Sequence, residues 1–110
     1  GLKPSTRQRF VSMRFNFPGA EREQAVLVGE TACDPMLATQ LVGIGRSLRA
    51  LKDVDLEEVV STRLLVYAAT LVRDGMDPVQ ACEAAVVESL TDDVETAEAL
   101  MEVVKATFGR

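Results

Sequence analysis

Residues 34–51 read Asp-Pro-Met-Leu-Ala-Thr-Gln-Leu-Val-Gly-Ile-Gly-Arg-Ser-Leu-Arg-Ala-Leu. Leu37, Leu41, Ile44, Leu48 and Leu51 recur at spacings of four, three, four and three. That period puts them on one face of an α-helix. Asp34 followed by Pro35 is a start signal, with a carboxylate to cap free N–H groups and a proline whose fixed φ suits the first helical position. Gly43 and Gly45 weaken such a helix by roughly 1 kcal/mol each relative to alanine. Their retention in it is consistent with close approach of a neighbouring element.

Similar signals flank this stretch. Upstream, a helix is expected from about Ala20 to Thr31, with Val26 and Leu27 as its apolar pair. Downstream, Asp55 and Glu58 form a D-x-x-E capping pattern, after which Leu64, Leu65, Ala68, Leu71 and Val72 make an apolar face ending near Asp74-Gly75. Asp77-Pro78 repeats the start signal and leads into a stripe of Val79, Cys82, Val86 and Leu90. Asp92 and Glu95 form a second D-x-x-E pattern before Val94, Ala97, Met101, Val104 and Phe108. The connections are short, so successive helices should pack as near-antiparallel neighbours.

The amino terminus differs. Val11, Met13, Phe15 and Phe17 alternate with Ser12, Arg14 and Asn16, the period of a strand with one apolar face. Pro18-Gly19 ends it. A lone strand is not stable, and no later segment reads as a second one. The expected fold is therefore mostly α: a short strand segment over residues 1–18, then a bundle of four to five helices over 19–110, cut from a larger sheet-containing protein.

Composition narrows the function. The chain of 110 residues is 47% apolar with four Phe, one Tyr and no Trp, so its core must be aliphatic. A net charge of −5 argues against binding the backbone of nucleic acids or anionic membrane surfaces. No run approaches the ~18 apolar residues of a membrane span, and residues 1–10 lack the apolar core of a signal peptide; a cytoplasmic location is expected. There is no histidine, which removes the commonest general base and metal ligand. Cys33 and Cys82 are read as reduced, buried side chains. The acids at Asp53, Asp55, Glu57 and Glu58, and at Asp92, Asp93 and Glu95, are read as helix-start chemistry, and no metal site is expected.

Two arginine motifs remain. Ser5-Thr6-Arg7-Gln8-Arg9-Phe10 precedes the strand, and Lys3, Arg7, Arg9 and Arg14 make the first fourteen residues locally basic, with no acid among them. A guanidinium on a rigid mount can stabilise charge developing in phosphoryl transfer; Arg7 and Arg9 can equally be solvated charges at a strand entrance. Ser61-Thr62-Arg63 has two readings as well. If the helix starts at Ser61 or Thr62, Arg63 lies at an anion-favouring end. If it starts at Asp55, Arg63 is mid-helix and pairs with Glu57 or Glu58.

At these motifs the chain resembles the MoxR-type AAA+ ATPases, and within them the CbbQ/NirQ/NorQ group. The resemblance rests on Leu2-Lys3-Pro4 through Phe10, on Leu51 to Glu58 running into Ser61-Thr62-Arg63-Leu64-Leu65-Val66-Tyr67-Ala68-Ala69, and on Glu88-Ser89-Leu90-Thr91-Asp92-Asp93. It covers nearly the whole chain. It implies that the strand is the last of a AAA+ core sheet and that the helices form the lid. It also implies that Arg9, or Arg7, is the arginine finger reaching the neighbouring subunit's nucleotide, and that Arg63 senses the γ-phosphate from the lid. ATP with magnesium, a hexameric ring, a von Willebrand factor A domain partner and a client metalloenzyme such as nitric oxide reductase or Rubisco are implied with it.

The chain departs from the family by lacking the G-x-x-x-x-G-K-[ST] loop. By itself it is expected not to hydrolyse ATP and to bind nucleotide weakly or not at all. An unpaired strand at 10–17 is expected either to associate with another copy of itself or to be disordered. Two other readings stay open: a free-standing helical interaction module without nucleotide, and the lid of a cobalt-chelatase-like or gas-vesicle relative.

Overall fold

A computed structural model describes residues 17–51 and 54–109. The strand expected over 10–17, and self-association through it, fall outside these residues except at Phe17, which lies in irregular chain before the first helix. No strand occurs among the described residues. Five helices do: α1 (Ala20–Thr31), α2 (Pro35–Arg49), α3 (Thr62–Arg73), α4 (residues 78–90) and α5 (Val94–Phe108). The helix α3 packs against α1, α2 and α4, while α5 lies on α2 and α4. The shared core is aliphatic, with Leu27, Leu41, Ile44, Leu48, Leu65, Leu90 and Leu100 among its fully buried side chains.

In α1 the buried residues are Glu23, Leu27 and Thr31, one line at four-residue spacing. Val26, expected to share the apolar face, is 37% exposed. The helix ends at Ala32, whose φ of 58° is left-handed and whose N–H reaches the Val28 carbonyl at 2.8 Å. The Thr31 hydroxyl donates to the Leu27 carbonyl at 2.8 Å and accepts from the Cys33 N–H at 3.2 Å, which satisfies it inside the core.

The start signals at Asp34 and Asp77 act as read. Asp34 accepts from the Met36 N–H at 3.1 Å, and Asp77 accepts from the Val79 and Gln80 N–H groups at 3.0 and 3.2 Å. The stripe of α2 is buried through Leu48, but Leu51 lies beyond the helix end and is 38% exposed. Gly45 is where α2 and α3 meet closely: a Cβ there would stand 2.9 Å from Leu65 Cδ1. Gly43 faces open space. Gly43→Ala is thus expected to stabilise the fold by about 0.8–1.0 kcal/mol through helix propensity. Gly45→Ala should lose that gain, because the fully buried Leu65 must leave its rotamer at a cost of about 0.5–1.5 kcal/mol. Urea unfolding of both variants checks this; equal stabilisation would show that the contact with Leu65 is slack.

Two starts differ from those that the D-x-x-E patterns mark. The helix α3 does not begin at Asp55. Residues 54–60 are irregular, and the Glu57 N–H donates to the Leu90 carbonyl at 2.7 Å. This contact satisfies an otherwise orphaned group at the end of α4, so the acids there do not cap a helix. The cap of α5 is Asp93, not Asp92: its carboxylate accepts from the Thr96 N–H and hydroxyl, both at 2.8 Å. These two contacts, backbone first, hold the Asp93 carboxyl below its ordinary value. Val94 is consequently 70% exposed, and the buried line of α5 runs through Leu100 and Val104.

The end of α3 is a Schellman turn. The Gly75 N–H bonds to the Val72 carbonyl at 2.9 Å and the Met76 N–H to the Leu71 carbonyl at 3.0 Å. Gly75 has φ of +109°, a conformation that only glycine adopts freely. In α4 the α-helix over Pro78–Cys82 widens to a π-helix over Glu83–Val87 and returns to α over Glu88–Leu90. The wider turn (i→i+5) accompanies burial of Ala85, Val86 and Val87 together; the i+3 and i+4 steps of a plain α-helix from Cys82 would give Ala85 and Val86, so Val87 is the added residue.

Candidate functional site

With α3 starting at Thr62, Arg63 is its second residue. Ser61 holds the N-cap position in extended backbone but makes no side-chain cap, and the first turn contains no acid. The helix start therefore keeps unsatisfied N–H groups and the positive end of its dipole. Arg63 adds a solvent-exposed guanidinium beside them. Among the described residues no acid pairs with it; neither Glu57 nor Glu58 does so. Of its two readings the helix-end one holds. Positive charge on a positive helix end is unfavourable alone and well matched to an anion such as a phosphate.

Behind this exposed surface lies a cluster that sequence reasoning missed. Glu23 of α1 has no solvent exposure, and Arg49 at the end of α2 is 12% exposed. The two form a bidentate pair: Arg49 Nη2 to Oε2 at 2.6 Å and Nη1 to Oε1 at 3.0 Å. The Thr62 hydroxyl donates to Glu23 Oε2 at 2.6 Å, and Arg49 Nε donates to the Val60 carbonyl at 2.7 Å. The Phe17 ring covers the guanidinium, 3.9 Å from its Cζ. Burial pushes the Glu23 carboxyl up, but hydrogen bonds from Arg49 and Thr62, with the Arg49 and Arg46 charges, outweigh it and hold the group below its ordinary value. Glu23 is therefore an anion at neutral pH and acts as the acceptor of a closed network. A signal for it existed in the sequence: Glu23 stands on the same four-residue line as Leu27 and Thr31, so a carboxylate on that line is buried and needs a cation.

The other expected site residues, Arg7 and Arg9, lie outside the described residues. Among the described residues no three acidic, cysteine or histidine side chains gather as a metal site. Burial, with the nearby Asp77 charge, pushes the Cys82 thiol up to about 12, so it is a core residue and no nucleophile. No helix among the described residues is long and apolar enough to cross a membrane.

Comparison with known proteins bears on this region directly. The family described as "CbbQ/NirQ/NorQ C-terminal" matches residues 23–107, a span that includes Glu23, Arg49, Thr62 and Arg63. The denitrification regulatory protein NirQ of Pseudomonas aeruginosa is 57% identical over 104 residues, covering 94% of this chain and 40% of that protein. Protein NorQ of Paracoccus denitrificans is 50% identical over 108 residues, covering 98% and 40%. Protein CbbQ of Hydrogenophilus thermoluteolus is 40% identical over 107 residues, covering 97% and 40%. The chain thus spans about 40% of the length of these relatives.

Proposed function

The chain belongs to the CbbQ/NirQ/NorQ C-terminal family, and on that premise we propose that it is the helical lid of an ATP-driven motor of the MoxR type. One observation carries this reading: Arg63 stands exposed on the first turn of α3 with no acid paired to it among the described residues. A guanidinium so placed suits the terminal phosphate of a nucleotide held by the remainder of the protein, with the free N–H groups of the same turn adding to the attraction. Arg9 or Arg7 supplies the finger to a neighbouring subunit, and six subunits form the ring. Magnesium accompanies ATP. The motor works with a von Willebrand factor A domain partner on a client metalloenzyme. The client is a nitric oxide reductase or, as the second type, Rubisco; the name of the Pseudomonas relative, a denitrification regulatory protein, favours a client in denitrification.

The test is nucleotide discrimination in the full-length protein that carries this region. A charge-assisted hydrogen bond is worth about 1.5–3 kcal/mol, so Arg63→Ala should weaken ATP binding about tenfold to hundredfold. ADP, which lacks the third phosphate, should lose less than about threefold. Titration calorimetry with both nucleotides reads this. Equal losses for ATP and ADP, or none, would remove Arg63 from the nucleotide site and favour a helical interaction module.

A further inference from the structure

We propose that Thr62 and Glu23 are positioning residues for Arg63: the buried Glu23–Arg49 pair fixes the start of α3 and thereby the place from which Arg63 reaches its anion. This rests on the reading of Arg63 as a phosphate-sensing residue. The geometry is a bracket around the helix start. On one side the Val60 carbonyl accepts from Arg49 Nε at 2.7 Å; on the other the Thr62 hydroxyl donates to Glu23 Oε2 at 2.6 Å. Ser61, between them, makes no side-chain cap. The usual device for fixing a helix start is absent, and both residues flanking Ser61 are tied instead to one ion pair anchored in α1 and α2.

That ion pair has little freedom. Its acid is fully buried, its base nearly so, and the contact is bidentate. The Phe17 ring covers one face of the guanidinium. Arg63 follows Thr62 directly, so its Cα inherits this placement, while its own side chain stays exposed and without an acid partner among the described residues. A loose mount matters because misplacement of a charged group by about 1 Å can cost on the order of 100-fold in rate. Thr62 touches no ligand on this account; it acts through Arg63.

The test is a double-mutant cycle in the full-length protein, reading ATP turnover and ATP affinity alongside a thermal melt. Thr62→Val removes the hydroxyl and keeps the shape, and should lower turnover about tenfold or more in a protein that remains folded at the assay temperature. Thr62→Ser, which retains the hydroxyl, should restore turnover to within about twofold of the parent. In an Arg63→Ala background Thr62→Val should bring no further loss, because what it positions is gone. Glu23→Gln, which keeps an acceptor oxygen without the charge, should behave like a milder Thr62→Val and be equally silent in that background.

Losses that add in full in the Arg63→Ala background would overturn the positioning role while leaving Arg63 in place. So would a Thr62→Ser protein as impaired as Thr62→Val. Arg63→Ala without any effect on turnover or ATP affinity would instead sink the phosphate-sensing reading, and the positioning role with it. The two failures are thus told apart by the Arg63 single variant.

Discussion

Glu23→Ala is expected to lower the free energy of unfolding by about 3–5 kcal/mol, the cost of removing one partner from a buried ion pair. The size follows from what remains. Arg49, only 12% exposed, would keep its charge with no carboxylate to meet it, and the Thr62 hydroxyl would lose its acceptor. Against the 5–15 kcal/mol that typically separates folded from unfolded domains, such a loss leaves the helices barely held. Replacing both partners, as in Glu23→Leu with Arg49→Met, should cost much less, since no charge is then stranded. Urea unfolding at pH 7 separates the cases. A Glu23→Ala loss below about 1 kcal/mol would mean that water reaches Arg49 freely and the pair is effectively a surface one.

The same pair sets an acid limit. The Glu23 carboxyl titrates below its ordinary value in the folded chain, so its contribution is complete above the unfolded pKa of about 4.3. It is lost as the pH falls through the lower folded value. Stability should therefore be flat in this respect between pH 6 and 8 and should decline below about pH 4.3. Glu23→Gln should flatten that acid branch.

Much of the helical framework was legible because it rests on local chemistry. The Leu37-to-Leu48 face and the Asp-Pro starts at Asp34 and Asp77 need only the chain within one or two turns, and the structure follows them. The misreadings occur where long-range contacts decide. Asp55 and Glu58 match a capping pattern locally, yet the Glu57 N–H is engaged by the carbonyl of Leu90, more than thirty positions away. Only Asp92 meets the D-x-x-E pattern, with Glu95; Asp93 has Thr96 three residues on, and it is Asp93 that caps the helix by accepting from the Thr96 N–H and hydroxyl. The π-turn in α4 is invisible to a search at helical period because it changes that period. Glu23 was hidden for a related reason. Its partners Arg49 and Thr62 lie 26 and 39 residues downstream, so the line through Leu27 and Thr31 marks Glu23 as buried but does not identify its partners. Arg63 was the reverse case: its type and place were visible, and only the true start of α3 separated a helix-end cation from a mid-helix one.

On the proposed reading, Arg9→Ala in the full-length protein should lower kcat for ATP by about 10³–10⁵-fold, the range of an arginine finger, with ATP affinity nearly unchanged. The contrast with Arg63 is what gives this pair of arginines its logic. On this reading Arg63, on the lid, holds and orients a phosphate present before reaction, so its loss appears in binding and, through lost alignment, in turnover as well. A finger meets charge that develops only as the phosphoryl group leaves, so its loss appears in turnover alone. On the same reading the finger acts on the neighbouring subunit's nucleotide. Parent subunits mixed with Arg9→Ala subunits should therefore lose activity according to the share of nucleotides that lack an intact neighbour. Arg7→Ala measured beside it identifies the dominant finger as the one with the greater fall in kcat. If both variants keep kcat within about tenfold, well short of a finger's range, the two arginines are solvated charges at a strand entrance. The charge stabilisation would then have to come from another part of the protein.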